Sequence, residues 1–343
     1  MKTMIQASQD IALKAPFPWF GGKSRVAHLV WERFGDVPNY VEPFFGSGAV
    51  LLGRPTAPRI ETVNDLDGFV ANAWRAIASD PEQTARWADW PSNENDLHAR
   101  HVWLKDRREE LSMRLEGDPD YCDFKIAGWW LWGMSQWIGG GFCGDSGGGP
   151  WAVVDGKLIH LGDAGQGVSR KRIHLSNAGQ GVSRQRIHLG NAGRGVSKNS
   201  CAIVEWFSDL QNRLRRVRVC CGDWSRVCGG AVTFNHGVTG VFLDPPYSDD
   251  AARTMGIYAK DCGSVAHEVR RWCIENQDNP LLRIALCGYE GEHDLPGWTE
   301  VAWKAQGGYG NQSDGTGREN SARERIWFSP HCLNPSKGQQ MLF

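Results

Sequence analysis

Residues 240–250 read GVFLDPPYSDD: an apolar run leads into Asp244, followed by Pro245, Pro246 and Tyr247. Proline has no N–H and holds φ near −65°, so the chain after Asp244 is stiff and the carbonyls of Asp244 and Pro245 lack ladder partners. A planar amino group finds acceptors in the Asp244 carboxylate and the Pro245 carbonyl, and Tyr247 offers a ring face for a flat heterocycle. These residue types in this order suit an exocyclic amine on a base, such as N6 of adenine. A rigid strand-to-helix turn is the plainer alternative.

Three stretches nearer the N-terminus suggest a nucleotide-like cofactor. EPFFGSG contains Glu42, Pro43, Phe44, Phe45, Gly46, Ser47 and Gly48. A Gly-x-Gly turn after a strand lets such a cofactor approach the backbone. The third glycine of the dinucleotide fingerprint is absent, because the chain continues Ala49-Val50-Leu51, which argues against NAD. Roughly 20 residues on, the interval at which an acid reaches a ribose, TVNDLD ends the next strand with Asp65 and Asp67. Alternatively Asn64, Asp65 or Asp67 is a helix N-cap. PFPWFGGKSR supplies Trp19, Phe20, Gly21, Gly22 and Lys23, which suit a lid over a cofactor bearing an aromatic ring and a carboxylate.

The elements that must carry these residues alternate. NYVEPFFGSGAVLLG reads as strand, turn and helix, and RIETVNDLDGFVANAWRAIA as strand, acidic tip and helix, which implies a parallel sheet. Residues 91–141 change to a helical, Trp-rich character, with Trp129, Trp130, Trp132 and Trp137 in one segment. A buried helix is the expected reading, and a stacking surface for bases the alternative. The α/β pattern resumes near residue 202: CAIVEWFSDLQNRLRRVRVCCGDW reads as helix into strand, GVTGVFLDPPYS as strand, AHEVRRWCIENQ as helix, LLRIALCGYE and RERIWFS as strands.

Between them lies a tandem repeat of period 14, at 159–172, 173–186 and 187–200. Each unit starts Ile-His-Leu, passes through a Gly-rich turn and, in the first two, ends in basic residues; stacked hairpins or loops fit this pattern. Over 157–200, Lys157, Arg170, Lys171, Arg172, Arg184, Arg186, Arg194 and Lys198 face Asp163 alone. Such a segment suits contact with a phosphate backbone, with a solvated basic loop as the alternative. The recurring His160, His174 and His188 lack metal-ligand spacing, as does the Cys220, Cys221 and Cys228 group, and no metal is expected.

Length and composition bound the rest. The chain has 343 residues, 41% hydrophobic, with net charge −1, so any basic surface is local. No run of 18 apolar residues occurs, so no membrane span is expected. The first residues lack a secretory apolar region. The ten cysteines read as reduced thiols, which points to a cytoplasmic protein.

PFPWFGGKSR, YVEPFFGSGAVLL, ETVNDLD and VFLDPPYS, in that order, resemble the Dam-type (D12 class) DNA adenine-N6 methyltransferases over 15–85 and 215–330. The resemblance implies a doubly wound, Rossmann-like α/β methyltransferase sheet with an inserted helical and Gly-rich-repeat target-recognition region. The expected parts are 12–88 and 206–331 for the catalytic domain, 89–205 for the insertion with its repeats at 159–200, and a tail at 332–343. S-adenosylmethionine is the implied cofactor. Trp19 and Lys23 would contact its methionine end or adenine, Phe45, Gly46 and Gly48 would wrap it, and Asp65 would hold its ribose. Phe20, Gly22, Glu42, Pro43, Phe44, Ser47, Leu66 and Asp244 complete the cofactor set. Asp244, Pro245, Pro246 and Tyr247 would hold a flipped adenine, and Arg170, Lys171, Arg172, Arg184, Arg186, Arg194 and Lys198 would meet double-stranded DNA. A monomer is expected, in a bacterium or encoded by a phage in a bacterial host. The alternatives are cytosine-N4 methylation, an RNA substrate, or a DNA-binding relic without activity. None of the cysteines follows a proline, which removes the cytosine-C5 chemistry.

Overall fold

Two short strands at the middle of one sheet carry the stretches singled out above. They are β1 (Asn39–Glu42) and β6 (Thr239–Leu243), and every residue in both is buried. In the computed structural model, which describes residues 13–19, 22–137, 142–144, 151–154, 157–160, 201–247, 263–303 and 323–335, they pair in parallel, with Asn39 opposite Thr239 and Val41 opposite Val241. Continuous burial is what a central parallel strand covered on both faces requires.

Around them run β2 (Ile60–Asp65), β5 (Val217–Cys221), β7 (Leu282–Tyr289), β8 (Thr299–Ala302) and β9 (Glu324–Phe328). The order is β5-β2-β1-β6-β7-β9-β8. The first five strands are parallel, and β9 runs antiparallel to both β7 and β8. This mixed α/β sheet of seven strands is consistent with a methyltransferase fold. The chain builds outward from β1 to β2 and β5, then returns to place β6 on the other flank of β1. The carboxyl ends of β1 and β6 therefore border the point where strand order reverses, which is where open α/β sheets hold ligands.

Side chains of the central strands alternate between two cores. On one face Tyr40 and Phe242 join Phe34, Trp74, Trp130 and Phe207; on the other Val41, Val241 and Leu243 join Val269, Cys273 and Trp327. The first face is covered by α1 (Ala27–Phe34), α3 (Gly68–Ser79) and α8 (Cys201–Leu214), the second by α9 (Gly263–Asn276). Of the three candidate caps, Asp67 starts α3, accepting from Phe69 N at 2.9 Å, whereas Asn64 donates to the carbonyls of Pro43 and Gly222.

The Trp-rich stretch is α7 (Phe124–Gln136). It packs on α3, on α4 (Pro81–Ala88) and on α5 (Glu94–Lys105), with α6 (Arg108–Gly117) against α3. Trp130 and Trp132 are buried in the core, as the buried-helix reading expects. Trp129 is half-buried beneath the Arg100 guanidinium and the Lys125 ammonium, at 4.7 and 4.5 Å from its ring centre. A hairpin, β3 (Trp151–Val154) with β4 (Lys157–His160), follows; β4 takes in the first residues of the repeat, and 161–200 lies outside the described residues. The cysteines whose side chains are described are free thiols. Among the described residues no helix is long and apolar enough to cross a membrane.

The alternation over 15–90 implies a parallel sheet, and β1 and β2 pair in that way. At the other end of the sheet β9 is reversed, and β8, with the weakly apolar sequence TEVA, carries no strand pattern.

Candidate active site

The turn after β1 is built around two glycines in the left-handed region. Gly46 has φ +47° and Gly48 φ +64°, conformations that side chains resist. Space forbids a side chain as well. A Cβ at Gly46 would collide with the Trp19 indole nitrogen, and one at Gly48 would lie 2.6 Å from the Phe45 ring. The turn is clamped through its backbone: Gly46 N–H donates to Asp65 Oδ2 at 2.8 Å, and the Trp74 indole N–H donates to the Gly46 carbonyl at 2.9 Å. Gly48 then starts the one-turn helix α2 (Ala49–Leu52).

Asp65 ends β2 beside this turn. Its Oδ1 accepts the Asp67 N–H at 2.9 Å, so its carboxylate ties the glycine turn to the start of α3. Burial pushes its pKa up to about 7, and the Gly46 N–H draws it back only in part. Glu42, the last residue of β1, is buried with its Oε2 accepting from the Tyr40 hydroxyl at 2.8 Å, and burial pushes its carboxyl well above the usual range. Phe45 packs on Trp74, whereas Phe44 stacks on Trp224 on the other side of the sheet. Pro43 and Ser47 are buried, and Leu66 is exposed. Phe20 lies outside the described residues.

The second half of the site lies at the tip of β6. Lys23, from the short 3-10 helix Lys23–Arg25, places its Nζ 2.8 Å from Asp244 Oδ2 and 3.3 Å from the Tyr247 hydroxyl. Burial alone would lower the lysine pKa, but the carboxylates of Asp244 and then Glu324 outweigh it and hold the ammonium protonated far above its ordinary range. The Tyr247 hydroxyl lies 2.8 Å from Glu324 Oε2 and 3.3 Å from Asp244 Oδ1. The Tyr289 ring meets Tyr247 edge-on at 4.6 Å. Trp303 stands 5.4 Å from Lys23 Nζ, measured to its ring centre.

Residues far apart in the chain thus converge on one end of the sheet. Trp19 and Lys23 come from the N-terminal segment, Gly46 and Gly48 from the turn after β1, Asp65 from β2, and Asp244 and Tyr247 from the segment after β6. Glu324, Trp303 and Tyr289 complete the surroundings and carried no signal in the sequence, because each reaches the site only through the order of the outer strands. The basic residues of the repeats, from Arg170 to Lys198, lie outside the described residues. Acidic groups outnumber the single buried ammonium, which suits a cationic ligand. Asp65, carboxylate-bearing and adjacent to a turn whose backbone a ligand can approach, suits a diol.

Residues 19–116 match the D12 class N6 adenine-specific DNA methyltransferase family. That family is one of DNA adenine-N6 methyltransferases, and the match spans residues 19–116 of the 343. The matched span takes in Trp19, Lys23, the glycine turn and Asp65 and ends before the Asp244–Tyr247 segment. No curated protein matches the chain.

Proposed function

We propose that the protein transfers a methyl group from S-adenosylmethionine to N6 of an adenine turned out of double-stranded DNA. The observation that carries this reading is the meeting of the Lys23–Asp244 pair and Tyr247 with the glycine turn at the switch point of the sheet. N6 is inaccessible in the duplex, so the base must leave the stack at a cost of a few kcal/mol.

When bound, S-adenosylmethionine supplies an activated sulfonium methyl. The chain's own residues place the nucleophile. The N6 lone pair is delocalised into the purine ring. The Asp244 carboxylate and the Pro245 carbonyl accept the two N–H bonds and thereby favour a geometry in which the lone pair is localised, and Asp244 is placed to pass on to solvent the proton that N6 sheds on gaining the methyl. Lys23 occupies Asp244 Oδ2 and fixes the carboxylate, so that Oδ1 faces the task of accepting from N6. Tyr247 gives the ring on which the base stacks. Asp65 accepts the ribose hydroxyls, and Gly46 and Gly48 let the cofactor lie against backbone. Positioning of this kind supplies much of the rate in a reaction between two bound partners. The segment 89–205, with its basic repeats, is the region assigned to target recognition.

Incubation with methyl-labelled S-adenosylmethionine and unmethylated genomic DNA, followed by nucleoside analysis, tests the reading. Label is expected in N6-methyladenine. Asp244→Ala should lower the rate by about 1,000-fold, the scale for losing a group that contacts the reacting centre, while the cofactor Kd changes little. Label in N4-methylcytosine, or near-normal turnover by the variant, contradicts the assignment.

A further inference from the structure

Glu324 opens β9, the reversed strand, far along the chain from residues 19–116. It is 5% exposed, and burial raises its carboxyl above the ordinary range while Lys23 pulls it back. A carboxylate placed so deep in a sheet is costly unless its bonds matter. Its bond is to Tyr247: the hydroxyl donates to Glu324 Oε2 at 2.8 Å, an ordinary O–H···O length, whereas the same hydroxyl is 3.3 Å from Asp244 Oδ1, at the weak end of the range. The hydroxyl also lies 3.3 Å from Lys23 Nζ, so the bond to Glu324 is the shortest of these three contacts, and it draws the hydroxyl away from the Asp244 oxygen that N6 requires. Tyr289, edge-on at 4.6 Å, packs against the same ring.

We propose that Glu324 is a positioning residue for methyl transfer, holding the Tyr247 hydroxyl so that the ring is set to stack on the extruded base and Asp244 Oδ1 is left for N6. The proposal deepens the reading above and rests on it. Without Glu324 the hydroxyl has Asp244 Oδ1 as its nearest carboxylate oxygen, and the ring turns with it. A displacement near 1 Å at a reacting centre costs on the order of 100-fold in rate.

The test compares wild type, Glu324→Ala, Glu324→Gln, Tyr247→Phe and the double variant Glu324→Ala/Tyr247→Phe. The readouts are kcat and KM on unmethylated genomic DNA with labelled S-adenosylmethionine, cofactor Kd by calorimetry, and thermal melting. Glu324→Ala should lower kcat by about 10- to 100-fold with cofactor Kd and DNA KM within about twofold. Glu324→Gln, whose carboxamide oxygen still accepts from the hydroxyl, should recover at least half of that loss on a logarithmic scale. Tyr247→Phe should lower kcat about tenfold, and the double variant should match it to within about threefold, because the proposed effect of Glu324 on the rate runs through the hydroxyl and Lys23 keeps Asp244 as its ion-pair partner. Losses that multiply in the double variant, a Glu324→Ala kcat within threefold of wild type, or no recovery with Gln each overturn the proposal. If Glu324→Ala does not fold, the Tyr247→Phe and Glu324→Gln pair decides, and Tyr247→Phe at the wild-type rate overturns it. A wild type that forms no N6-methyladenine removes the underlying reading, and the proposal with it, a result distinct from equal rates among active variants.

Discussion

Asp65 binds the glycine turn with one oxygen and the start of α3 with the other, and burial holds its pKa at about 7. A raised carboxyl pKa means that the neutral acid persists to higher pH. Ribose hydroxyls donate to the ionised form, so cofactor affinity should be highest above pH 7 and fall as the group protonates below it. With a pKa near 7, the ionised fraction drops roughly tenfold between pH 8 and pH 6, and Kd should rise by about the same factor. Calorimetry across that range checks this. Asp65→Asn should bind weakly and lose the pH dependence that wild type shows; a wild-type Kd flat in pH would mean that Asp65 serves only the turn and helix α3. Asp65 and Asp244 were legible in the sequence because each argument is local: a carboxylate at a strand tip, next to glycines or prolines whose backbone limits are known. Glu324 was not legible. Glu-Arg-Ile-Trp-Phe reads as any half-polar strand, and its meeting with Tyr247 depends on β9 pairing beside β7, which no spacing announces.

The strands and helices are held in register by contacts at the end of the sheet remote from the site. Glu61, near the start of β2, is buried between two arginines. Arg54 Nη1 lies 3.1 Å from its Oε1, and Arg213 Nη1 lies 2.6 Å from its Oε2. Arg54 also donates to the Val37 carbonyl at 2.6 Å and Arg213 to the Leu51 carbonyl at 2.9 Å. Arg213 belongs to α8, the first helix after the repeats, so the cluster ties the returning chain to β2. Removing one partner of a buried ion pair typically costs about 3–5 kcal/mol, because the other charge is left uncompensated. Glu61→Ala strands two guanidinium groups and should lower the unfolding free energy by about that amount, read as a fall in the urea midpoint with unchanged slope. A loss under about 1 kcal/mol would place the cluster with weak surface pairs. The elements themselves were largely legible: β1, β2, β6 and β7 are short apolar runs bounded by turns, and α3 has a cap and a helical period. The clamp was not, since Glu61 and Arg213 are 152 residues apart.

The whole molecule carries a net charge of −1 and still requires a polyanion as substrate under the proposed function. One stretch has a clear local excess of cations: Lys157, Arg170, Lys171, Arg172, Arg184, Arg186, Arg194 and Lys198 occur with Asp163 as the one acid between 157 and 200. If this segment tracks the duplex, it contributes affinity with little sequence information. Each phosphate neutralised on B-DNA adds about 0.9 to the slope of log K against log salt. Replacing Arg170, Lys171, Arg172, Arg184 and Arg186 with Gln should therefore weaken DNA binding steeply at low salt and flatten the slope by up to about 4.5. The cofactor Kd should stay the same, because Trp19, the glycine turn, Asp65 and the Asp244 segment come from other parts of the chain. The preferred methylation site, read by sequencing modified bases, should also survive. Three near-identical units would otherwise have to read identical bases at a regular spacing, and an arginine that read guanine edges in the major groove would change the site on removal. A fluorescence titration of duplex DNA at several salt concentrations measures the slope directly. An unchanged slope would show that these charges never meet phosphate and would move the repeats from the DNA to solvent or a protein partner.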